Sequence, residues 1–299
     1  MIDFSGYYQP HSLPEALELL ATLPPGYRLL AGGTDVVPAL RSGELKVEGL
    51  IDLSRIADLR GIEQIGDRIR IGCLTTFNQL AGSETLRHHA TVLAEAASAV
   101  GSPQIRNLGT IGGNIINASP AADTVPALVA LEAEVKLCSR GRERFLKVDQ
   151  LLCGAGKTNL LPGELAHSVY FAIPPSNTRS GFMKLGRRNA LAIARLSAAA
   201  VITLDASRNK IIRARVALGA VAPNPFRSEE LENLLTGAEI SPELIDEAVA
   251  TASAVVAARL GARPSAPYKR EAVKGVVRAL LERLLLPVGT LLEGGCVGP

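Results

Sequence analysis

The 299 residues are 47% hydrophobic and 20% charged, enough apolar material for a full core in two or three domains of ordinary size. A net charge of +3 and the absence of Trp leave no basic stripe and no stacking platform, which sets nucleic-acid binding aside. Met1-Ile2-Asp3-Phe4 carries an acid where an export signal needs basic residues, and no apolar run reaches membrane-spanning length, so a cytoplasmic protein without a membrane span is expected.

In chain order, residues 7–14 predict an extended lead-in. Ser12 with Glu15 predicts a capping box opening a helix through Leu23, stopped by Pro24-Pro25-Gly26. Residues 28–31 read as a short buried strand running into Gly32-Gly33, 35–41 as the start of a helix and 49–53 as the next strand, a βαβ alternation. Residues 62–65 and 68–72 alternate around Gly66-Asp67 as an antiparallel hairpin. Helices are expected at 77–80 and 89–100, the second so rich in Ala over 90–99 that it must pack closely against a neighbour. It leads straight into a second glycine segment; a helix over 123–131 and paired strands over 134–137 and 144–146 follow. After a strand at 168–173, the breakers Pro174-Pro175-Ser176-Asn177 open another region. That region holds strands at 181–185, 198–204 and 211–218, with a turn at 207–210, then helices at 228–235, 241–258 and 268–285. The Gly-rich tail after Pro287 is expected to be mobile.

Two glycine segments stand out, Ala31-Gly32-Gly33-Thr34-Asp35 and Thr110-Ile111-Gly112-Gly113-Asn114. Neither fits a Rossmann fingerprint or a phosphate-binding loop. Glycine lets main-chain N–H groups approach a pyrophosphate, and Thr or Asn adds a side-chain donor at the same depth, so a dinucleotide cofactor is expected. The bland alternatives are a strand end at Gly32-Gly33 and a tight turn at Gly112-Gly113. Gly154-Ala155-Gly156-Lys157-Thr158 imitates the end of a phosphate-binding loop, but Leu151 stands where its first glycine must be, so it reads as a structural turn. His11, His88, His89 and His167 lie outside both glycine segments. Cys73, Cys138, Cys153 and Cys296 are too scattered for a metal cluster and read as free thiols, so any cluster belongs to a partner.

Leu30 to Asp35, Gln104-Ile105-Arg106-Asn107 running into 110–114, Ala118-Ser119-Pro120-Ala121-Ala122-Asp123, and Lys184-Leu185-Gly186-Arg187-Arg188 with Ala192-Ile193-Ala194 form one ordered pattern. In it the chain resembles, over nearly all its length, the FAD-binding medium subunit of the molybdenum hydroxylases, as in carbon monoxide, nicotinate and xanthine dehydrogenases. The resemblance implies an α+β fold: a two-subdomain FAD-binding cradle of the vanillyl-alcohol-oxidase (PCMH) type, then a C-terminal domain of a three-stranded antiparallel sheet with helices. It sets domains at 1–176 (subdomains about 1–58 and 59–176) and 177–287, with the tail at 288–299.

By that resemblance Ala31, Gly32, Gly33, Thr34, Asp35 and Val36 would clasp the FAD pyrophosphate from one side and Thr110, Ile111, Gly112, Gly113 and Asn114 from the other, with Leu30 and Ile105 also among the cofactor-binding residues. Asp123 would accept from a sugar or ribityl hydroxyl, although a helix N-cap fits it too. Val169, near the end of a strand, would contact the cofactor, and Lys184 would reach back across the domain boundary. Val100 occupies the place where some relatives carry an aromatic ring against the isoalloxazine. No acid–base set for an organic substrate appears, which suits a relay. A large molybdenum-pterin subunit would oxidise the substrate, a small subunit with two 2Fe-2S clusters would pass electrons to FAD here, and NAD or another acceptor would receive them, in a dimer of heterotrimers. The alternatives are a self-contained flavin oxidoreductase of the vanillyl-alcohol-oxidase type and a non-catalytic subunit that has lost FAD.

Overall fold

The computed structural model describes residues 5–188 and 191–286. The readings placed on Met1 to Phe4, on Cys296 and on the tail after Pro287 lie outside them.

The first unit is a parallel three-stranded sheet in the order Gly6–Tyr8, Gly49–Asp52, Tyr27–Leu30. Gly49–Asp52 runs down its centre and is buried at every position, which its uninterrupted apolar start requires. Helix Leu13–Thr22 crosses over to the second strand. Ser12 accepts from the Glu15 N–H at 3.3 Å, but the Glu15 carboxylate accepts from the His11 N–H at 2.7 Å, so only half of the predicted capping box forms. Ala16, Ile51, Leu53, Ile56 and Leu59 make the small core beneath.

The second unit is an antiparallel sheet ordered Ile62–Ile65, Arg68–Gly72, Leu165–Ala172, Glu134–Ser139, Arg142–Lys147, with short helices on one face. Residues 84–89 form a helix of their own, Glu84–His89. The Ala-rich helix starts only at Thr91, because Ala90 leaves helical space with φ −148° and ψ 57°. Its expected close neighbour is the strand Thr178–Leu185: the Val92 N–H donates to Ser180 Oγ, and the Glu95 carboxylate accepts from the Phe182 N–H at 2.8 Å. A further helix, Pro103–Leu108, capped by Ser102 with Pro at its first position, intervenes before the second glycine segment.

The last unit is an antiparallel sheet of Thr178–Leu185, Leu196–Leu204, Ile211–Gly219 and the two-residue strand Phe226–Arg227, so a short fourth strand joins the three long ones. Helices Glu229–Leu235, Pro242–Leu260 and Ala266–Leu285 cover one face. Alternation sorts its residues: Ala198, Ala200 and Ile202 pack under those helices, while Phe182, Ala199, Val201 and Ala217 join the core of the second unit. This explains why Leu196–Leu204 is buried at nearly every position.

Candidate functional site

After the strand Tyr27–Leu30 the chain turns through Ala31, Gly32, Gly33 and Thr34 into helix Val36–Ser42. Gly33 is left-handed at φ +71°, and the turn it makes gathers successive backbone N–H groups in the manner of an anion-binding nest. Among the described residues the N–H groups of Gly32, Gly33, Thr34, Asp35 and Val36 meet no protein acceptor. Gly32 has a second reason to lack a side chain, since a Cβ there would stand 1.9 Å from the Leu108 carbonyl oxygen. The first segment is thus pressed against the lead-in to the second. The Asp35 carboxylate does not cap its helix; it accepts from Asn117 Nδ2 at 3.2 Å, which ties the two segments together.

The second segment is not a loop. Gly112 and Gly113 form the first turn of helix Ile111–Asn117, whose N-cap Thr110 accepts the Gly113 N–H through Oγ1 at 3.1 Å. The N–H groups of Ile111, Gly112 and Asn114 go to the carbonyls of Thr75, Cys73 and Thr110. These four amides are therefore committed within the protein, while among the described residues the Thr110 N–H and the Asn114 Nδ2 amide meet no protein acceptor. What the segment offers is close approach: a Cβ on Gly112 would strike Cys73, and one on Gly113 would stand 3.0 Å from the Thr110 cap hydroxyl and 3.9 Å from the Ala31 side chain, on the side of the first segment. Asn114 Oδ1 is held by Thr124 Oγ1 at 2.7 Å.

Asp123 precedes helix Thr124–Ala130 without a cap hydrogen bond, so the cap alternative fails. Its Oδ2 accepts from Lys184 Nζ at 2.6 Å, and the same ammonium donates to the Ala99 carbonyl at 2.9 Å. Asp123 is 7% exposed, and its Oδ1 has no partner among the described residues. Burial pushes its carboxyl up to about 6 against the opposing pull of Lys184. Directly across the sheet from Lys184 lies Ser197, whose Oγ is also buried and unpartnered. A buried pair with one oxygen left over is an incomplete polar site.

Leu30 closes the strand and Val36 opens the helix at either end of the nest. Ile105, 38% exposed, packs over Gly101 beside Val100, and the carbonyls of Val100 and Gly101 both accept from Arg106. Val169 departs from its expectation. It sits in the middle of Leu165–Ala172, paired with Ile71 on one side and Val135 on the other, and is fully buried in the core, so it belongs to the sheet and not to open cofactor space. Asn117, Thr124, Ser197 and the Ala99 carbonyl escaped the sequence reading. Asn117 alone carried a signal, standing three residues after Asn114 on one helix face. Residues 154–158 are a structural turn, a small hairpin whose Gly156 N–H donates to Ala118. Cys73, Cys138 and Cys153 are free thiols, and no cluster of metal-ligating side chains occurs among the described residues.

Unpaired amides on one side, a Cβ-free helix turn on the other and an orphaned carboxylate oxygen nearby suit a ligand with both a pyrophosphate and hydroxyls. The donor set therefore fits FAD. Residues 2–175 match the family described as the FAD binding domain in molybdopterin dehydrogenase, and 181–284 match the CO dehydrogenase flavoprotein C-terminal domain. The chain is 34% identical over 302 residues to the nicotinate dehydrogenase FAD-subunit of Eubacterium barkeri, covering 99% of each. It is 32% identical to the carbon monoxide dehydrogenase medium chain of Afipia carboxidovorans, over 93% of this chain and 95% of that one. Reconstituted CO dehydrogenase from Oligotropha carboxidovorans superposes with a TM-score of 0.87 at 32% identity, over 94% of this chain and 97% of its own. The helix-and-sheet architecture, the matched length and the nest between the two glycine segments agree, and the chain belongs to the FAD-binding medium subunits of the molybdenum hydroxylases, the flavoprotein components of oxidoreductases.

Proposed function

We propose that residues 30–36, Ile105, residues 110–114, Asp123 and Lys184, with Val100 at the edge, hold FAD in an electron-transfer subunit that takes electrons from 2Fe-2S clusters of a small partner. A large molybdenum-pterin partner oxidises the substrate, NAD or another acceptor receives the electrons, and the assembly is a cytoplasmic dimer of heterotrimers. In this reading residues 1–176 form the FAD-binding domain and 177–287 the C-terminal domain that supplies Lys184. When bound, FAD supplies the chemistry that couples one-electron donors to a two-electron acceptor. The chain's own residues bind and orient. The amides of Gly32 to Val36 donate to phosphate oxygens, Gly113 leaves room for them, and Asp123 Oδ1 accepts from a hydroxyl while Lys184 fixes the carboxylate in place.

The observation that carries this reading is the run of unpaired amides facing a helix turn that has no side chain at Gly113. Gly113→Val drives a branched side chain into that space, and flavin content of the purified complex, read by visible absorbance, should fall at least tenfold with the fold retained. Full flavin occupancy in that variant overturns the placement. Purification from the native cell with joint assay for FAD, molybdenum and iron tests the assembly. A solitary yellow chain reduced directly by a small substrate favours the self-contained oxidoreductase, and a colourless one the subunit without FAD.

A further inference from the structure

The Ala-rich helix Thr91–Ser98 runs on through Ala99, still in helical space, to Val100 and to Gly101 at φ +40°. Two cations hold this end of it. Lys184, reaching from the C-terminal sheet, donates to the Ala99 carbonyl at 2.9 Å. Arg106, in the last turn of helix Pro103–Leu108, donates through Nη1 to the next two carbonyls, Val100 at 3.0 Å and Gly101 at 3.2 Å. Three successive carbonyls thus meet two charged side chains from different parts of the chain. The helix that carries Arg106 has little freedom to move. A Cβ on Gly101 would stand 3.1 Å from the Ile105 side chain, and one on Gly32 only 1.9 Å from the Leu108 carbonyl oxygen. Just beyond, the Gly109 carbonyl accepts from the Phe77 N–H at 3.1 Å.

The two cations differ in what balances them. Asp123 pairs with Lys184 at 2.6 Å and neutralises it. Among the described residues no carboxylate meets Arg106, and its Nε and Nη2 have no protein acceptor. Capping of the helix end accounts for the two hydrogen bonds but not for the charge, since a neutral amide donates as well. A helix C-terminus carries about half an elementary negative charge. With Lys184 and Asp123 cancelling, this end of the helix keeps roughly half a unit of positive charge, in a half-buried place where solvent screens it weakly.

We propose that Arg106 raises the reduction potential of the bound flavin. This rests on the proposed FAD site, in which Val100 and Ile105, the neighbours of that guanidinium, border the cofactor. An isoalloxazine that takes two electrons from the partner's clusters and one proton from solvent becomes one negative charge richer. A fixed cation whose charge is not cancelled favours that reduced form over the oxidised one. Arg106 touches Val100 and Gly101 and not the cofactor, so it acts through its field and is a positioning residue. Lys184 contributes less at the same range, because Asp123 opposes its field.

Redox titration of the assembled complex tests this in wild type, Arg106→Gln and Arg106→Lys. Flavin is followed by visible absorbance and the 2Fe-2S clusters by electron paramagnetic resonance in the same samples. In Arg106→Gln the preference for reduced over oxidised flavin should fall at least tenfold, which lowers the midpoint potential of a two-electron couple by about 30 mV. Cluster potentials should stay as in wild type. Arg106→Lys keeps the charge and loses the fork, so its flavin potential should stay close to wild type. A wild-type flavin potential in Arg106→Gln overturns the proposal and leaves Arg106 a helix cap. Equal shifts in the two variants also overturn it, because geometry and not charge is then responsible. If Arg106→Gln sheds its flavin, oxidised and reduced FAD are titrated separately into it and into flavin-stripped wild type; equal ratios of the two affinities overturn the proposal in the same way. A wild-type complex that holds no flavin is failure of the FAD site itself.

Discussion

At Asp123 the chain keeps a carboxylate where burial resists its charge. Its carboxyl rises from an ordinary 3.8 to about 6, so the folded chain holds its proton more tightly than the unfolded chain does. That contribution to stability is complete below about pH 4, is lost as pH rises through 6, and amounts to about 3 kcal/mol at most. In the FAD-free chain, the melting temperature of Asp123→Asn should therefore gain on that of wild type as pH rises from 5 to 7 and level off above it. A difference that does not change with pH contradicts the buried, half-satisfied carboxylate. In the loaded complex the order reverses, because Asn offers the hydroxyl a weaker acceptor and FAD affinity falls; unchanged FAD affinity would place Asp123 outside the cofactor shell.

At the scale of single elements, the short helix Ile111–Asn117 presents the bare face of Gly113, and Thr110 fixes where that helix begins. Thr110 is buried and its hydroxyl takes the Gly113 amide, so Thr110→Ala costs about 1 kcal/mol of stability by denaturant unfolding. Thr110→Ser should restore most of it, since only the oxygen is used. The strand, turn and helix around Gly32 were readable because a short apolar run meets glycines and then an amphipathic start. The division of labour between the segments was not. A glycine pair in a helical first turn and one in a nest look alike in sequence, and the neighbours Thr75 and Cys73 that consume the second segment's amides lie more than thirty residues upstream.

Across the whole molecule, Glu95 and Glu132 fasten the sheet that carries Lys184 to the FAD-binding units, beside the Lys184–Asp123 pair itself. Glu95 accepts from Arg283 and from the Phe182 amide, and Glu132 accepts from Arg213, Arg215 and Arg227. Burial tends to raise the Glu132 carboxyl, but the three guanidiniums outweigh it and hold it below its ordinary value. Its contribution is therefore present at neutral pH and is lost as pH falls through the acid range. Glu132→Gln leaves the buried Arg215 uncompensated and should cost about 2–4 kcal/mol. Flavin release should accelerate in the same variant, because Lys184 reaches Asp123 only while the sheet is docked. Stopped-flow flavin fluorescence checks this, and wild-type release with lowered stability would separate docking from retention.

The sequence by itself determined the elements and their order: apolar periodicity set the βαβ start, the antiparallel strands and the long C-terminal helices, and four ordered motifs identified the family. Those signals are local, each carried within a run of adjacent residues. Only the tertiary structure decided that Asp123 pairs with Lys184 from a strand sixty residues away, that its second oxygen is left unpaired, that Val169 faces the core, and that one glycine segment keeps its amides free while the other spends four of its own. Burial and hydrogen-bond partnership belong to pairs of segments brought together by folding, and no spacing along one chain records which partner a buried polar group will meet.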